Sequence, residues 1–285
     1  MRELRFVITP FCNYKCFFCH SESITDKIAL YLSPSDYEFM AKVTKDQLGW
    51  STCTLTGGEP LISPIFKEVC EKIKNLGIAI TVVTNASLLA RPTEMLKDIA
   101  QINVAVHTMS PDIYEQIIQV NYPLENVLST IVDIRAKFPK LAIHLNYTVI
   151  KGLNDSSVDF ERFIKFAKKI KAKAKFIDLS TIDNTLRTEA LEIVRQLEGL
   201  GFEVKGENPW QYFLSRKTEE VQVVKCPFNG KYEDLPVRDV FVEPNGVLYR
   251  SFGGYLAVNA LNEIKSRNAI GLLQKINVLL DRGGS

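Results

Sequence analysis

The chain has 285 residues, enough for two domains or one large barrel-sized domain with a sizeable core. Its 35 Lys and Arg against 33 Asp and Glu leave a net charge of +2, which implies neither a nucleic-acid partner nor an acidic membrane surface. Hydrophobic residues at 46% and charged residues at 24% are ordinary for a globular protein, and no apolar run approaches the roughly 20 residues that a membrane helix needs.

In chain order, residues 4–9 read as a short strand that runs into the breaker Pro10 and then a cysteine loop. The N-terminus, Met1-Arg2-Glu3-Leu4-Arg5, runs straight into this strand with no apolar stretch followed by a cleavage site, so a cytoplasmic location is expected. Further strands are predicted at 52–56, 79–84, 103–108, 142–149 and 174–179. Between them come helices at 35–48, 64–76, 92–99, 111–138 (as two helices) and 156–170, with another at 188–200. This βα order predicts an α/β fold, a partial (β/α)6 TIM-type barrel whose binding residues gather on the loops after the strand C-termini. Beyond residue 205 the regularity weakens. Apolar runs at 238–242 and 247–250 flank Asn245-Gly246, a hairpin signal, and the reading is a barrel over 1–205 with a small C-terminal α+β extension over 206–285.

Chemistry first shows in the cysteines. Six in so long a chain are too few for a disulfide scaffold, yet Cys12, Cys16 and Cys19 crowd into one C-x3-C-x2-C loop. Such a loop can wrap three thiolates around one metal centre. With His20 it could make a Cys3His zinc site; with an iron-sulfur cluster, three thiolates would leave one iron open to a small molecule. Cys53, Cys70 and Cys226 read as small buried apolar residues.

The stretch Cys12-Asn13-Tyr14-Lys15-Cys16-Phe17-Phe18-Cys19 resembles the motif of the radical S-adenosylmethionine (SAM) superfamily, with the aromatic Phe18 just before the third cysteine. Thr56-Gly57-Gly58-Glu59-Pro60 resembles that superfamily's stretch holding the methionine end of SAM. Glycines allow close backbone approach, and a carboxylate and carbonyls can accept hydrogen bonds from an ammonium group. The resemblance implies one 4Fe-4S cluster on Cys12, Cys16 and Cys19 and SAM as cofactor, with Phe18, Gly57, Gly58, Glu59 and Pro60 on the cofactor side. Thr84, Asn85, Asn146 and Ser180 are the expected sources of its sugar contacts.

Over roughly residues 4–252 the chain is similar to the GTP 3′,8-cyclases of molybdenum-cofactor biosynthesis, through Thr84-Asn85-Ala86-Ser87-Leu88-Leu89, Lys151-Gly152-Leu153-Asn154-Asp155 and Lys175-Phe176-Ile177-Asp178. It departs from them where the purine and triphosphate bind. Their second, purine-binding cluster needs three more cysteines, but Ser251 stands at the hairpin position and Cys226 has no near neighbour. Basic positions of the family are Thr54 and Asp239-Val240-Phe241 here, leaving Arg5, His144 and Lys175 as candidate substrate-binding residues. Ala105 and His107 replace a serine and an aspartate that contact SAM in the family, and the Arg282-Gly283-Gly284-Ser285 tail matches its di-glycine end.

The reading is an oxidoreductase or lyase that cleaves SAM reductively and takes hydrogen from a small nucleotide-like or sugar-like metabolite. It would draw its electron from a donor such as flavodoxin or ferredoxin, with no nucleic-acid or membrane partner. The alternatives are radical modification of a peptide side chain and a non-catalytic zinc-binding module.

Overall fold

The computed structural model describes residues 2–19, 32–90, 93–179, 185–226, 236–237, 239–250 and 256–281. Strands β1 (Glu3–Val7), β2 (Thr52–Thr56), β3 (Ala79–Thr84), β4 (Gln101–Ala105), β5 (Ala142–Val149) and β6 (Lys173–Asp178) lie side by side in chain order, each parallel to the next. They are joined through helices α1 (Pro34–Leu48), α2 (Phe66–Asn75), α3 (Pro111–Ile118), α4 (Leu124–Lys137) and α5 (Ser157–Lys169), and α6 (Ala190–Gly199) follows β6.

The expected helix at 92–99 is instead a 3-10 turn, Thr93–Asp98. The loop over residues 85–90 leaves too few residues before β4 for a stable α-helix, and a short run suits the tighter turn. Strand β4 also lies earlier than the predicted 103–108. The last backbone bond to β5 runs from the Val106 N–H to the Asn146 carbonyl (2.9 Å), and beyond it side chains replace the ladder: the Thr148 N–H of β5 donates to His107 Nδ1 (3.1 Å), and Asn154 Nδ2 donates to the His107 carbonyl (2.6 Å).

Residues after 205 extend both edges of this same sheet. Strands β7 (Glu203–Asn208), β8 (Gln211–Arg216) and β9 (Glu219–Val224) form an antiparallel meander whose last strand lies parallel to β6. On the other edge β10 (Asp239–Val242) is parallel to β1 and turns back into β11 (Val247–Tyr249) and β12 (Ala257–Asn259), the hairpin expected at Asn245-Gly246. Helices α7 (Leu261–Lys265) and α8 (Ala269–Leu280) close the chain. The order β12-β11-β10-β1-β2-β3-β4-β5-β6-β9-β8-β7 therefore holds eight consecutive parallel strands, an open barrel wall with a hairpin flange on each side.

Strand alternation assigns the two faces. On β5, Ile143, Leu145, Tyr147 and Val149 are buried, with Tyr147 ringed by Phe160 and Phe163 of α5 and Phe176 of β6. His144, Asn146 and Thr148 alternate onto the opposite, inner face, half-buried. On β1, Phe6 packs edge-on against Tyr37 of α1 at 5.1 Å, so Arg5 and Glu3 share the inner face. Cys53 and Cys70 are buried, as expected of small apolar residues.

Candidate active site at the mouth of the barrel

The two SAM-type motifs are docked directly onto each other. Beyond β1 the cysteine loop passes under the turn after β2, where the Gly58 N–H donates to the Thr9 carbonyl and the Glu59 N–H to the Phe11 carbonyl, each at 2.8 Å. A Cβ on Gly57 would lie 2.3 Å from the Thr9 oxygen, and one on Gly58 only 2.1 Å from the Phe11 oxygen. Gly57 also has φ +148°, a region closed to L side chains. The sequence suggested that these glycines let the backbone approach a ligand; the close approach they permit here is to the cysteine loop itself. From the other side the Lys15 and Phe17 N–H groups donate to the Ile118 and Ile117 carbonyls at the end of α3, at 3.0 and 3.3 Å. Tyr14 is buried beside them, its hydroxyl 3.1 Å from that of Tyr114.

Glu59 joins the third loop to this pair. Its carboxylate is fully buried and accepts from the Thr84 hydroxyl (2.8 Å), the Asn85 N–H (2.8 Å) and the Leu61 N–H (3.1 Å). Burial pushes its pKa up to about 7, against the lowering effect of those three donors. Its side chain is thus committed to holding the β3 loop. There Ala86 adopts φ +66° while fully buried, a strained position tolerable for so small a side chain. Asn85 Nδ2 donates to Asn13 Oδ1 (2.9 Å) and lies 3.8 Å from Cys12 Sγ, and Asn13 in turn donates to Ser87 Oγ (2.8 Å). Asn13 and Ser87 were not singled out from sequence as site residues. Their only signal was proximity to motif residues.

Cys12 and Cys19 are exposed and Cys16 is half-buried. Burial first, then the neighbouring thiols, raises the pKa of Cys16 to about 12, and burial likewise raises that of Cys12. Three mutually repelling thiols are stable as thiolates only around a cationic centre, and soft sulfur donors suit iron-sulfur chemistry. Among the described residues no three Cys, His, Asp or Glu side chains are gathered as a single metal ion would need, and His20 lies outside the described residues. The donor set, three cysteine thiolates on one short loop, fits a 4Fe-4S cluster by its sulfur chemistry.

Of the other candidates, Phe18 packs edge-on against His107 at 5.0 Å. His107 is buried, which lowers its pKa to about 4, and its Nδ1 accepts from Thr148, so the neutral ring carries its hydrogen on Nε2. Asn146 and His144 lie lower on the inner face of β5, where Asn146 Oδ1 and His144 Nδ1 are buried and make no hydrogen bond among the described residues. Lys175 pairs in register with Asn146. Arg5 is on the opposite wall, 3.5 Å from Asp239 and 3.9 Å from Glu3. The structure thus brings together Cys12, Gly57, Gly58, Glu59, Thr84 and Asn85 at the mouth and sets Arg5, His144, Asn146 and Lys175 on the inner wall. Ser180, Ser251 and the Gly-Gly tail lie outside the described residues. Cys226 is half-buried, its N–H donating to Asp178 Oδ1 at 2.6 Å.

No helix among the described residues is long and apolar enough to cross a membrane. Residues 6–167 match the Radical SAM superfamily model. The chain is 30% identical over 99% of its length to a probable GTP 3′,8-cyclase of Pyrobaculum aerophilum, of which the match covers 94%. It is 34% identical to one from Thermococcus kodakarensis over 62% of this chain and 56% of that one. Among solved structures, Streptococcus suis SuiB bound to S-adenosylmethionine superposes with a TM-score of 0.72 at 15% identity, over 99% of this chain and 66% of that one, a likeness of fold. With the three-cysteine loop and the glycine turn locked together at the barrel mouth, the chain belongs to the radical SAM superfamily, enzymes that use a 4Fe-4S cluster and SAM.

Proposed function

We propose that the chain is a single-cluster radical enzyme acting on a small nucleotide-like or sugar-like metabolite, with Cys12, Cys16 and Cys19 holding the cluster. The observation that carries this reading is the docking of the cysteine loop on the glycine turn through the Gly58 and Glu59 N–H groups. When bound, the 4Fe-4S cluster and SAM supply one-electron cleavage to a 5′-deoxyadenosyl radical that can take hydrogen from a substrate. The chain's own residues set the geometry. Glu59 fixes the Thr84-Asn85 loop against the cysteine loop, and Asn85 and Asn13 order the surroundings of the Cys12 sulfur. The carbonyls of the 57–60 turn are the acceptors for an ammonium group, and Asn146 Oδ1 is an available acceptor for a hydroxyl. His107, held neutral, presents a donor rather than the negative charge that an aspartate would bring. Residues 206–285 form a cluster-free extension, the electron comes from an external donor of the flavodoxin or ferredoxin kind, and the protein works in the cytoplasm.

Anaerobic reconstitution with iron and sulfide, followed by iron counting and an assay of 5′-deoxyadenosine, tests the reading. About four irons per chain are expected, lost together with SAM cleavage in Cys16→Ala and retained in Cys226→Ala. Two clusters per chain, one of them lost in Cys226→Ala, would overturn the single-cluster assignment. Tightly bound zinc without SAM cleavage would refute the enzyme.

A further inference from the structure

We propose that Asn85 is a positioning residue that sets how readily the bound cluster is reduced, by giving one side-chain N–H to the Cys12 sulfur. This rests on the radical-enzyme reading above and adds a redox control to the same site. The step concerned is the uptake of one electron by the oxidised cluster from an external low-potential donor, with no covalent bond made or broken in the chain.

The orientation of the Asn85 amide is fixed by its partners. The Ser87 backbone N–H, which can only donate, lies 3.0 Å from one amide atom, and that atom must therefore be the oxygen. The Ser87 hydroxyl donates to the same Oδ1 at 2.6 Å. Nδ2 is left facing the cysteine loop, where one hydrogen goes to Asn13 Oδ1 at 2.9 Å and the other to Cys12 Sγ, with Nδ2 and sulfur 3.8 Å apart. Asn13 Nδ2 donates in turn to Ser87 Oγ at 2.8 Å. Asn85, Asn13 and Ser87 thus close a ring in which every donor meets an acceptor, and turning the Asn85 amide over would set the Ser87 N–H against another N–H. The backbone is held as well. The Asn85 N–H donates to the buried Glu59 carboxylate at 2.8 Å, and the Tyr122 hydroxyl donates to the Ser87 carbonyl at 3.1 Å.

A second donor reaches the same sulfur, the Tyr14 backbone N–H at 3.4 Å. An electron added to an iron-sulfur cluster is shared with its thiolates, so N–H donors to sulfur stabilise the reduced state more than the oxidised one and raise the potential. Tyr14 supplies its share from the backbone, whatever its side chain. Asn85 supplies the share that a side chain can change, and Asn13 and Ser87 keep it aimed.

The experiment is an EPR-monitored redox titration of the reconstituted, SAM-free protein with dithionite, so that any loss of SAM contacts does not enter. At a fixed potential Asn85→Ala should lower the ratio of reduced to oxidised cluster at least about threefold, a fall on the order of 30 mV at about 59 mV per tenfold for a one-electron couple. Asn85→Asp, which keeps an acceptor for Ser87 but turns an oxygen toward Cys12, should lower it further. Asn13→Ala opens the ring yet leaves the Ser87 bonds that aim Asn85, and its fall should be less than that of Asn85→Ala. An unmoved potential in Asn85→Ala would overturn the proposal, as would an equal fall in Asn13→Ala, which marks a merely structural role for the loop. If the Asn85 variants do not fold, the unaltered protein decides. With asparagine carrying 15N in its side-chain amide, pulsed EPR of the reduced cluster should show a 15N coupling, and its absence would refute the bond. Iron is counted on every sample: an unaltered chain that takes up no cluster fails the radical-enzyme reading and this inference with it, whereas about four irons with an unmoved potential fail this inference alone.

Discussion

Burial of Glu59 at the barrel mouth ties stability to pH. Its carboxyl has an ordinary pKa near 4.5, and burial lifts it to about 7 despite donors from Asn85, Thr84 and Leu61. A raised carboxyl pKa means that the folded chain holds this proton more tightly than the unfolded chain, so the contribution is present at low pH and is lost as pH rises from about 4.5 to 7. The size is on the order of 3 kcal/mol. Urea unfolding of the cluster-free chain at pH 5 and pH 7.5 should therefore show a stability change that shrinks by that order in Glu59→Gln, which cannot titrate. Gln also presents an NH2 to the Thr84 and Asn85 donors, so the variant should be less stable at pH 7.5 and bind SAM more weakly. Equal pH slopes in the two proteins would show that Glu59 does not titrate in this range. At this scale the sequence was legible in residue identity but not in role. Cys12, Cys16, Cys19 and the Gly57–Pro60 turn stand out by spacing, whereas the bond from Glu59 to Thr84 crosses between strands and leaves no local pattern.

Strands β2, β3 and β5 coincide with the apolar runs that predict them, because their alternate residues must face a packed helix layer. Strand β4 does not, and the cause is a side-chain clamp. Asn154, with no exposed surface, donates to the His107 (2.6 Å) and Thr148 (2.9 Å) carbonyls and accepts from the Ile150 N–H (2.6 Å). Asp159 at the start of α5 accepts from Thr108 and Tyr147, so β4, β5 and α5 end in one buried polar knot. Hydrophobic periodicity carries no trace of such a knot, and 106–108, an apolar residue followed by His and Thr, looks like more strand. Asn154→Ala would strand two carbonyls and one N–H in a dry site. A loss of roughly 2–4 kcal/mol is expected, read as a lowered Tm and urea midpoint. Because the same knot fixes His107 against Phe18, SAM affinity should fall with it. An unchanged Tm would mean that water replaces the amide without cost.

Across the whole molecule, the segment after the barrel returns to where the chain began. Parallel pairing of β10 with β1 places Asp239 beside Arg5, and α7 is pinned to α1 through Asp36. That carboxylate is 2% exposed and lies 2.6 Å from Lys265 Nζ and 2.7 Å from an Arg267 nitrogen, while also accepting from the Ser33 N–H and hydroxyl. Burial pushes its pKa up, but Lys265, Ser33 and Arg267 outweigh it and hold the pKa below the ordinary value. The sign is the reverse of Glu59. The stabilisation is present above the unfolded carboxyl pKa and is lost as pH falls through the lower folded one. Both cations are half-exposed, so the pair is screened, and Asp36→Asn should cost roughly 1–3 kcal/mol at neutral pH in low salt and less in high salt. Because the bond joins residues more than 200 positions apart, its loss should loosen the C-terminal segment before the barrel. Limited proteolysis of Asp36→Asn is then expected to cut first between β9 and α8 and leave a barrel fragment, while the unaltered chain resists. If the variant is digested evenly along its length, the C-terminal segment is an inseparable part of the barrel's folding unit, and Arg5 owes its partner Asp239 to the sheet alone.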